Sequence, residues 1–475
     1  MNLIGIFSIL ATPLGYIMWA FYLLFGNFGW AIIAFAIVVQ LLTLPFAIKQ
    51  QKNTIKSSVF MPRVKEIQTK YRNDKEKQQE ELMKLQKLGY NPMGGCASML
   101  IPLLILFGVT EVVYRPLTHW EHVPKAEIAD VVSQAYDINM ARVFIDPQYE
   151  QTTTAIVEWY QTEKGEEALE KPDLRNAYVE ENGTAEYNIT PEIKTYYKNV
   201  YAAVRADSNS DKAKDEKLMN KLSKKDENAD SEAETSRIEN VKKFNSAIST
   251  LGSTYGSYNT NNEFSVSGNQ SELNAISTYN LHESAFSDTI RNGEVGAKIK
   301  GLNENMNFLG IPLGKTPTLS WDLLILIPIL SAVFSLLQSI ISMKINAKNN
   351  PQAAEMNSSM KTMMYIMPLF SLWFMFSVPA GVGFYWIIRY ALGLGQTILL
   401  PKMMNQEQLR EDAKKALEEA VKSQKGSKRN EKLKNNSKYL DKNGNLLPQK
   451  EIDKIRLAEA RKADAEKYGE EYKEE

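Results

Sequence analysis

Polar side chains interrupt three of the long apolar stretches of this chain, and within each stretch they fall on one face of a helix. The residues, spaced by three, four, seven or eleven positions, are Gln40 and Thr43 in the first stretch, Ser331, Ser335, Gln338 and Ser342 in the second, and Tyr385, Arg389 and Gln396 in the third. Inside a bilayer such groups usually face a bundle interior or a wet cavity, because lipid offers them no hydrogen-bond partner. The pattern predicts a hydrophilic groove that binds through hydrogen bonds and one positive charge.

Two features limit this interpretation. Serine and threonine often join membrane helices through interhelical hydrogen bonds, so for the serines alone that alternative stays open. No acidic residue lies deep in an apolar stretch, since the nearest, Glu111 and Asp322, are close to the ends. A proton relay or a sodium-coupled transporter would carry an acid near the middle, so the pattern argues against both. We interpret the polar residues as a groove that opens toward the cytoplasm.

The apolar stretches predict an all-α polytopic membrane protein. Crossing ~30 Å of hydrocarbon takes about 20 helical residues. Five segments meet this requirement and form the predicted transmembrane core: 28–48, 94–115, 321–343, 360–378 and 383–400. The first 27 residues are also apolar, with aromatic residues suited to the headgroup layer, and we expect them to form an interfacial helix, with a further span as the alternative.

Charge distribution predicts the orientation. Segment 49–93 is rich in lysine and arginine, which places it in the cytoplasm by the positive-inside rule. By alternation, 116–320 lies outside, whereas loop 344–359 and the charged tail 401–475 lie inside. The zero net charge and the mean hydropathy of −0.32 average very apolar segments with very polar ones, so they do not indicate a soluble protein. The single cysteine, Cys96, excludes an internal disulfide, and we expect neither a structural metal nor a cofactor.

Segment 49–93 is predicted to form a helical hairpin. Apolar residues recur at helical spacing from Phe60 to Tyr71 and again from Leu82 to Leu88, and Asn73-Asp74 between them provides a stop and an N-cap. Gly89 would end the second helix, and Asn91-Pro92 would turn the chain back toward the membrane. The outer face of the predicted hairpin carries a set of cations, Lys56, Arg63, Lys65, Lys70 and Arg72. These could dock on lipid headgroups, on RNA or on a partner protein.

The outer segment 116–320 predicts a separate, mainly helical domain. Within it, residues 206–237 are dominated by charged residues, serine, asparagine and alanine, which is typical of a flexible stretch. The segment contains no nucleophile motif, phosphate loop or paired acids. His119 and His122 could bind a metal, but their position just outside a span favours ordinary surface histidines. The tail after residue 401 predicts a surface helix followed by a solvated segment.

Seven short motifs in order along the chain carry a family resemblance. They are GNFGWAI at 26–32, Pro45 with KQQK at 49–52, MPRVK at 61–65, NDK at 73–75, NPMGGC at 91–96, FLGIP at 308–312 and PAGVGFYW at 379–386. On these motifs and the order of the five spans, the chain resembles the YidC-type membrane protein insertases of the Oxa superfamily. The resemblance covers roughly residues 13–115 and 305–402 but not the outer segment.

The resemblance implies a non-enzymatic insertase of the bacterial cell membrane, with its C-terminus in the cytoplasm. Its partners would be nascent membrane proteins, membrane lipids and, through the tail, the ribosome, while cooperation with a Sec translocase stays open. The hairpin would first catch the substrate. Bacterial members carry an arginine five residues before the proline that corresponds to Pro45, where this chain has Gln40. We hypothesise that Arg389 supplies the missing charge, the alternative being that it reaches up to the outer headgroups.

Two other classes of protein remain as alternatives. A small-molecule transporter or channel would be marked by inverted repeats with interrupted helices, and the chain has no such repeat. A membrane-anchored protein that binds a partner through its outer domain would use its spans only as anchors. The polar faces of the spans argue against that reading.

Overall fold

The computed structural model of the protein describes residues 3–88, 90, 97–181, 183–225, 231–349, 366, 369, 371–434, 437–441 and 445–468. These residues are mostly helical and divide into two compact units. The first unit comprises Met1–Pro45, Met99–Lys344 and Asn357–Thr397, and the second comprises Phe46–Ser98, Ile345–Met356 and Ile398–Glu475.

The described elements follow one another along the chain. The helices are α1 Leu3–Phe25, α2 Phe28–Ser58, α3 Met61–Lys70, α4 Lys75–Lys87, α5 Ala97–Tyr114, α6 Pro116–His119, α7 Lys125–Ile145, α8 Glu150–Lys164, α9 Pro191–Ser208, α10 Leu218–Ser223, α11 Ser231–Thr254, α12 Ser271–Leu281, α13 Asp288–Arg291, α14 Glu294–Asn305, α15 Leu326–Asn349, α16 Ala380–Met403, α17 Gln406–Lys434 and α18 Gln449–Tyr468. Antiparallel pairs are formed by β1 Tyr178–Glu181 with β2 Thr184–Tyr187, β3 Gly256–Tyr258 with β4 Phe264–Val266, and β5 Asn307–Phe308 with β6 Ile311–Pro312. The predicted all-α class therefore holds, with three small hairpins added.

Among the described residues, two helical segments are long and apolar enough to cross a membrane, Phe28–Ser58 and Leu323–Ile345. The predicted spans 94–115 and 383–400 coincide with the helices α5 and α16. Most of the predicted span 360–378 lies outside the described residues. Helix α2 continues ten residues beyond the predicted end at residue 48. This continuation is rich in lysine and glutamine, which are good helix formers. A core of five crossing helices therefore stays a prediction.

Helix α1 contacts the segment that follows α5 over several turns. Gly15 lies against the imidazole of His119, and the rings of Tyr16 and Trp19 contact His122, with centroids 5.3 Å and 5.0 Å away. Further along the helix, the ring of Tyr22 lies 5.2 Å from that of Trp120. These contacts hold α1 against the segment after α5, and its position in the membrane stays a prediction.

The outer segment folds around α7. Ten residues of this helix are buried, and helices α9, α11 and α12 pack against it. Aromatic rings fill the centre, where Phe144 stacks on Tyr197 at 4.9 Å and meets Phe244 edge-on at 5.4 Å. Such rings bury a large apolar area each and favour offset or edge-to-face geometry. The prediction of a mainly helical outer domain agrees with this arrangement.

The predicted flexibility of residues 206–237 is wrong for the residues that the structure describes there, 206–225 and 231–237. The Asp207 carboxylate accepts hydrogen bonds from the backbone amide of Leu218, at 2.8 Å, and from Lys212, at 3.0 Å. The Leu218 side chain is buried in the main core. Arg237 pairs with Glu234 at 2.7 Å. A capping carboxylate and one buried leucine therefore order a segment whose composition alone indicated a solvated stretch.

Hydrogen bonds join α12 to α6 within the outer segment and join the outer segment to the ends of the apolar helices. The Glu272 carboxylate, on α12, accepts from the Thr118 backbone amide at 3.0 Å and from its hydroxyl at 2.5 Å. The Trp120 indole donates to the Val112 carbonyl of α5 at 3.1 Å and stacks on Phe28 of α2 at 4.1 Å. At the start of α16, the Gly381 amide donates to the Leu313 carbonyl at 2.7 Å. The outer segment is thus attached to the apolar helices by hydrogen bonds and ring contacts as well as by the chain itself.

The second unit contains the predicted hairpin. Helices α3 and α4 form as predicted, and the Asp74 carboxylate caps α4 by accepting from the Lys77 amide at 3.1 Å. Residues 89 and 91–96, with the predicted helix stop and the NPMGGC motif, lie outside the described residues. Phe60, Val64 and Leu85 form a small core, and Leu417 of the tail helix α17 completes it. The sequence did not indicate this contact.

The prediction that the tail is solvated after its first helix is also wrong in part. Helix α18 folds back on the segment before it, where Tyr439 and Ile452 are buried together. The Leu447 amide donates to the Tyr439 carbonyl at 2.9 Å, and Lys438 pairs with Glu459 at 3.1 Å. The tail therefore carries a second small folded element.

Glu272 predicts a pH dependence of stability. Burial raises the pKa of its carboxyl from 4.5 to about 7. A pKa that is higher in the folded state gives stability that is complete below the unfolded value and is lost as the pH rises through the folded value. We expect the unfolding temperature to fall as the pH rises from about 5 to about 8, and Glu272→Gln to weaken that dependence. Thermal unfolding in detergent at several pH values measures this dependence, and the exposed Glu186→Gln is the control. An unchanged dependence in Glu272→Gln would contradict the assignment.

Candidate functional site: a polar cluster among the apolar helices

Three of the predicted groove residues meet directly in the first unit. An Arg389 Nη atom donates to the Gln40 side-chain oxygen at 3.2 Å. The Gln40 amide nitrogen donates in turn to the side-chain oxygen of Gln396. We call Gln40, Arg389 and Gln396 the polar cluster. All three side chains are partly buried, so the cluster is a polar connection between α2 and α16.

Helix geometry explains how two residues of α16 reach one residue of α2. Arg389 and Gln396 are separated by seven positions, which is about two turns and roughly 10 Å of rise, on the same face. Gln40 takes part with both ends of its amide, the oxygen toward Arg389 and the nitrogen toward Gln396. Arginine can span such an offset because its side chain is long. The guanidinium thus points toward Gln40.

Among the residues that the structure describes, Arg389 takes part in no ion pair. It donates a hydrogen bond to the neutral amide of Gln40. Next to it, Tyr385 is almost completely buried, with its hydroxyl beside the guanidinium and its ring 6.1 Å from that of Phe35. The cluster can therefore bind an anionic or hydrogen-bond-accepting group.

Buried hydroxyl groups add further hydrogen-bonding capacity. Ser331 and Ser335 of α15 are buried, and the Ser331 hydroxyl has no partner within the described protein. The same holds for the hydroxyl of Ser371, which the sequence interpretation had overlooked. Buried polar groups in native proteins nearly always have a partner, either protein or water. The orphan hydroxyls therefore indicate sites that suit water or a bound polar chain.

Glycines let α15 and α16 approach closely. A Cβ atom at Gly393 would come within 2.8 Å of the Gln338 amide nitrogen, and one at Gly383 within 2.4 Å of Ile327. Small residues at such positions are typical of packed membrane helices. Gln338 thus packs against α16 at a glycine, and its place in a groove stays a prediction.

Thr43 does not join the cluster. Its hydroxyl donates to the carbonyls of Val39, at 2.9 Å, and Gln40, at 3.1 Å, which belong to its own helix. The predicted capture residues Lys56, Arg63, Lys65, Lys70 and Arg72 are all exposed in the second unit. Their positions permit binding to a partner.

Comparison with known proteins points to one family of membrane proteins. The model of the family described as 60Kd inner membrane protein matches residues 20–170 and 287–408, together more than half of the chain. The chain is 36% identical over 114 residues to the membrane protein insertase YidC of Wolinella succinogenes and 37% identical over 109 residues to that of Caulobacter vibrioides. It is 45% identical over 83 residues to that of Caldanaerobacter subterraneus subsp. tengcongensis.

These matches are partial on both sides. They cover 24%, 23% and 17% of this chain, and 21%, 18% and 40% of the respective relatives. The chain thus spans about a fifth of the length of the first two curated relatives. No solved structure matches the chain significantly.

The polar cluster predicts a non-additive effect on stability. Gln40→Leu would leave the Arg389 guanidinium without its acceptor, and we expect it to lower the free energy of unfolding by about 1–3 kcal/mol. Replacing both partners by leucine removes the unpaired group, so the double variant should be more stable than Gln40→Leu. Thr43→Val on the same helix is the matched control. Thermal unfolding in detergent measures the wild type, Gln40→Leu, Arg389→Leu, the double variant and the control, and strict additivity of the two single changes would contradict the pairing.

Proposed function

Because the chain belongs to the 60Kd inner membrane protein family, we propose that it is a membrane protein insertase that moves short hydrophilic segments of nascent membrane proteins through a polar groove open to the cytoplasm. The observation that carries the proposal is the polar cluster, in which Arg389 and Gln396 of α16 meet Gln40 of α2. The names of the relatives support the same activity.

The physical problem of insertion explains why a polar groove would help. Each unsatisfied backbone group of a translocating segment costs several kcal/mol in hydrocarbon. Polar side chains and the water around them can pair with those groups and shorten the path through lipid. Ser331, Ser371 and the amides of the cluster supply donors and acceptors for this purpose. No covalent step is needed, so the proposed activity is not enzymatic.

The charge of Arg389 would select among substrates. A guanidinium held against a neutral amide keeps its positive charge available, because no neighbouring described carboxylate neutralises it. In a partly buried site the attraction between opposite charges is stronger than in water. Acidic segments would therefore enter the groove more readily than neutral ones.

The second unit would receive the substrate before it enters the groove. The exposed cations of the helical hairpin, Lys56, Arg63, Lys65, Lys70 and Arg72, suit a capture surface on the cytoplasmic side. The tail, which contributes Leu417 to the hairpin core, would bring the ribosome to that surface. Five spans, a cytoplasmic C-terminus and an interfacial N-terminal helix complete the proposal, and cooperation with a Sec translocase remains open.

Arg389 provides the first test of this function. We expect Arg389→Ala to reduce insertion of substrates with acidic translocated segments more than insertion of neutral ones, because the attraction is lost. Adding Gln40→Arg should restore insertion, since position 40 already lies within hydrogen-bonding distance of position 389. Protease protection of substrates synthesised in the presence of proteoliposomes measures the effect. The exposed Arg175→Ala is the charge control.

A double variant no better than Arg389→Ala alone would contradict the role of the groove charge. An equal loss for acidic and neutral substrates would indicate that Arg389 only supports the packing of α16. The unfolding temperatures of the same preparations distinguish that result from a general loss of fold.

The hairpin cations provide the second test. Replacing Lys56, Arg63, Lys65, Lys70 and Arg72 by glutamine should reduce cross-linking of nascent chains to the hairpin, because the electrostatic attraction is lost. Substitution is preferable to deletion, since a deletion would also expose the buried Leu417. Five exposed lysines of the outer segment, changed to glutamine, give the same change in net charge: Lys164, Lys171, Lys214, Lys221 and Lys225. Equal cross-linking in both variants would exclude a capture role.

A further inference from the structure

The hairpin of β5 and β6 has an unusual residue at its tip. Phe308 pairs with Ile311, so the turn consists of Leu309 and Gly310, with φ angles of 53° and 81°. Two positive φ angles define a type I′ turn, for which Asn-Gly is strongly preferred. Of the three non-glycine residues with positive φ in the described chain, Leu309 is the aliphatic one, and the others are His122 and Asn262.

Folding alone does not account for this leucine. Between the strands β1 and β2 the sequence reads Asn-Gly, the dipeptide that two-residue hairpin connections usually contain. A leucine in the left-handed region costs conformational energy, and residues held there often mark functional sites. The Leu309 side chain does not recover that energy by burial, since it is 81% exposed. The strained position therefore places an apolar side chain at the tip of the hairpin.

Further apolar side chains lie close to this tip. A Cβ atom at Gly310 would be 3.4 Å from the Leu323 side chain, and Trp30 meets the ring of Phe308 edge-on at 5.5 Å. Leu319 and Trp321, shortly before Leu323, are 82% and 99% exposed. We call Trp30, Leu309, Leu319, Trp321 and Leu323 the outer apolar patch.

Polar and apolar residues alternate along the segment that leads into α15. Thr318 and Ser320 share a hydrogen bond between their hydroxyls at 2.8 Å, and Ser320 donates to Asp322 at 2.8 Å. These three polar side chains thus bond to one another. The residues between and after them, Leu319, Trp321 and Leu323, are exposed among the residues that the structure describes. The segment presents an apolar edge.

The patch continues the apolar surface of α15. Exposed aliphatic residues recur along this helix at spacings of one, three or four, at Leu326, Ile329, Leu330, Val333, Leu337 and Ile340. In a helix that crosses a membrane, such a stripe faces lipid. Since Leu323 lies only three residues before α15, lipid that covers the stripe would also reach the patch. Tryptophan at this level is typical of the membrane–water interface.

We propose that the outer apolar patch inserts into the headgroup layer of the outer leaflet and holds the outer segment at a set depth on the membrane. The occupant is phospholipid of the same bilayer, because the patch is continuous with the lipid-facing stripe of α15. The inference rests on the proposed membrane orientation. It does not depend on the groove or on the role of Arg389.

The test measures depth at single labelled positions in the full chain. In a Cys96→Ser background, Leu309→Cys and Leu319→Cys are labelled with an environment-sensitive fluorophore and reconstituted into vesicles of phosphatidylethanolamine and phosphatidylglycerol. Thr184→Cys, an exposed position beside the turn of the β1–β2 hairpin, is the matched control. Quenching is compared between aqueous iodide and lipids that carry a nitroxide near the headgroup.

We expect labels at 309 and 319 to be quenched by the nitroxide lipids and to be several-fold less sensitive to iodide than the label at 184. Equal iodide sensitivity at all three positions, without lipid quenching, would overturn the proposal. Protection from iodide without lipid quenching would also overturn it, since a protein partner or a second copy would then cover the patch. Two labelled positions keep the test decisive if one substitution disturbs folding. Because the labels report depth and not insertion, a failure here is distinguishable from a failure of the proposed function.

Discussion

The cost of leaving a hydrogen-bonding group unpaired away from water is the constraint on which the rest of this structure depends. Backbone groups in the apolar segments satisfy it by forming helices, because each amide and carbonyl is then paired within its own segment. Each polar side chain in these segments needs a hydrogen-bond partner of its own. Arg389 donates to Gln40, Gln40 donates to Gln396, and Thr43 bonds to its own helix. The polar cluster therefore fixes the contact between α2 and α16 by directional bonds that apolar packing cannot supply.

The same constraint connects the architecture to the proposed activity. A polar segment that enters the bilayer brings unpaired backbone groups of its own, and it needs the partners that a cluster of amides, hydroxyls and a guanidinium can offer. The buried hydroxyls of Ser331 and Ser371 have no hydrogen-bond partner among the described residues. Gly383 and Gly393 let α15 and α16 approach closely, so that Gln338 lies against α16. A groove of this kind would act by solvation and charge, and it needs no bond-breaking group.

Outside the apolar helices, local patterns were reliable where the interaction itself is local. The periodicity of the hairpin and the capping role of Asp74 were both predicted, because they involve residues within a few positions of one another. Composition misled for residues 206–225, since Asp207 and Leu218 make single specific contacts that order this part of the chain. In α17 the apolar residues Leu417 and Val421 recur at helical spacing, yet nothing local shows that their partner is the hairpin.

The sequence by itself indicated the apolar helices that the structure describes, the helices of the hairpin, the mainly helical outer segment and the set of polar residues among the apolar ones. Hydrophobic periodicity and intramembrane polarity are properties of short windows, so they can be recognised without the fold. Only the tertiary structure decided which polar groups meet. Gln40 and Arg389 are 349 positions apart, and their contact depends on how α2 and α16 are rotated and how deep each lies. Those quantities are set by side-chain packing between distant segments, which is why Arg389 reaches Gln40 while Thr43, three residues further on, turns back to its own helix.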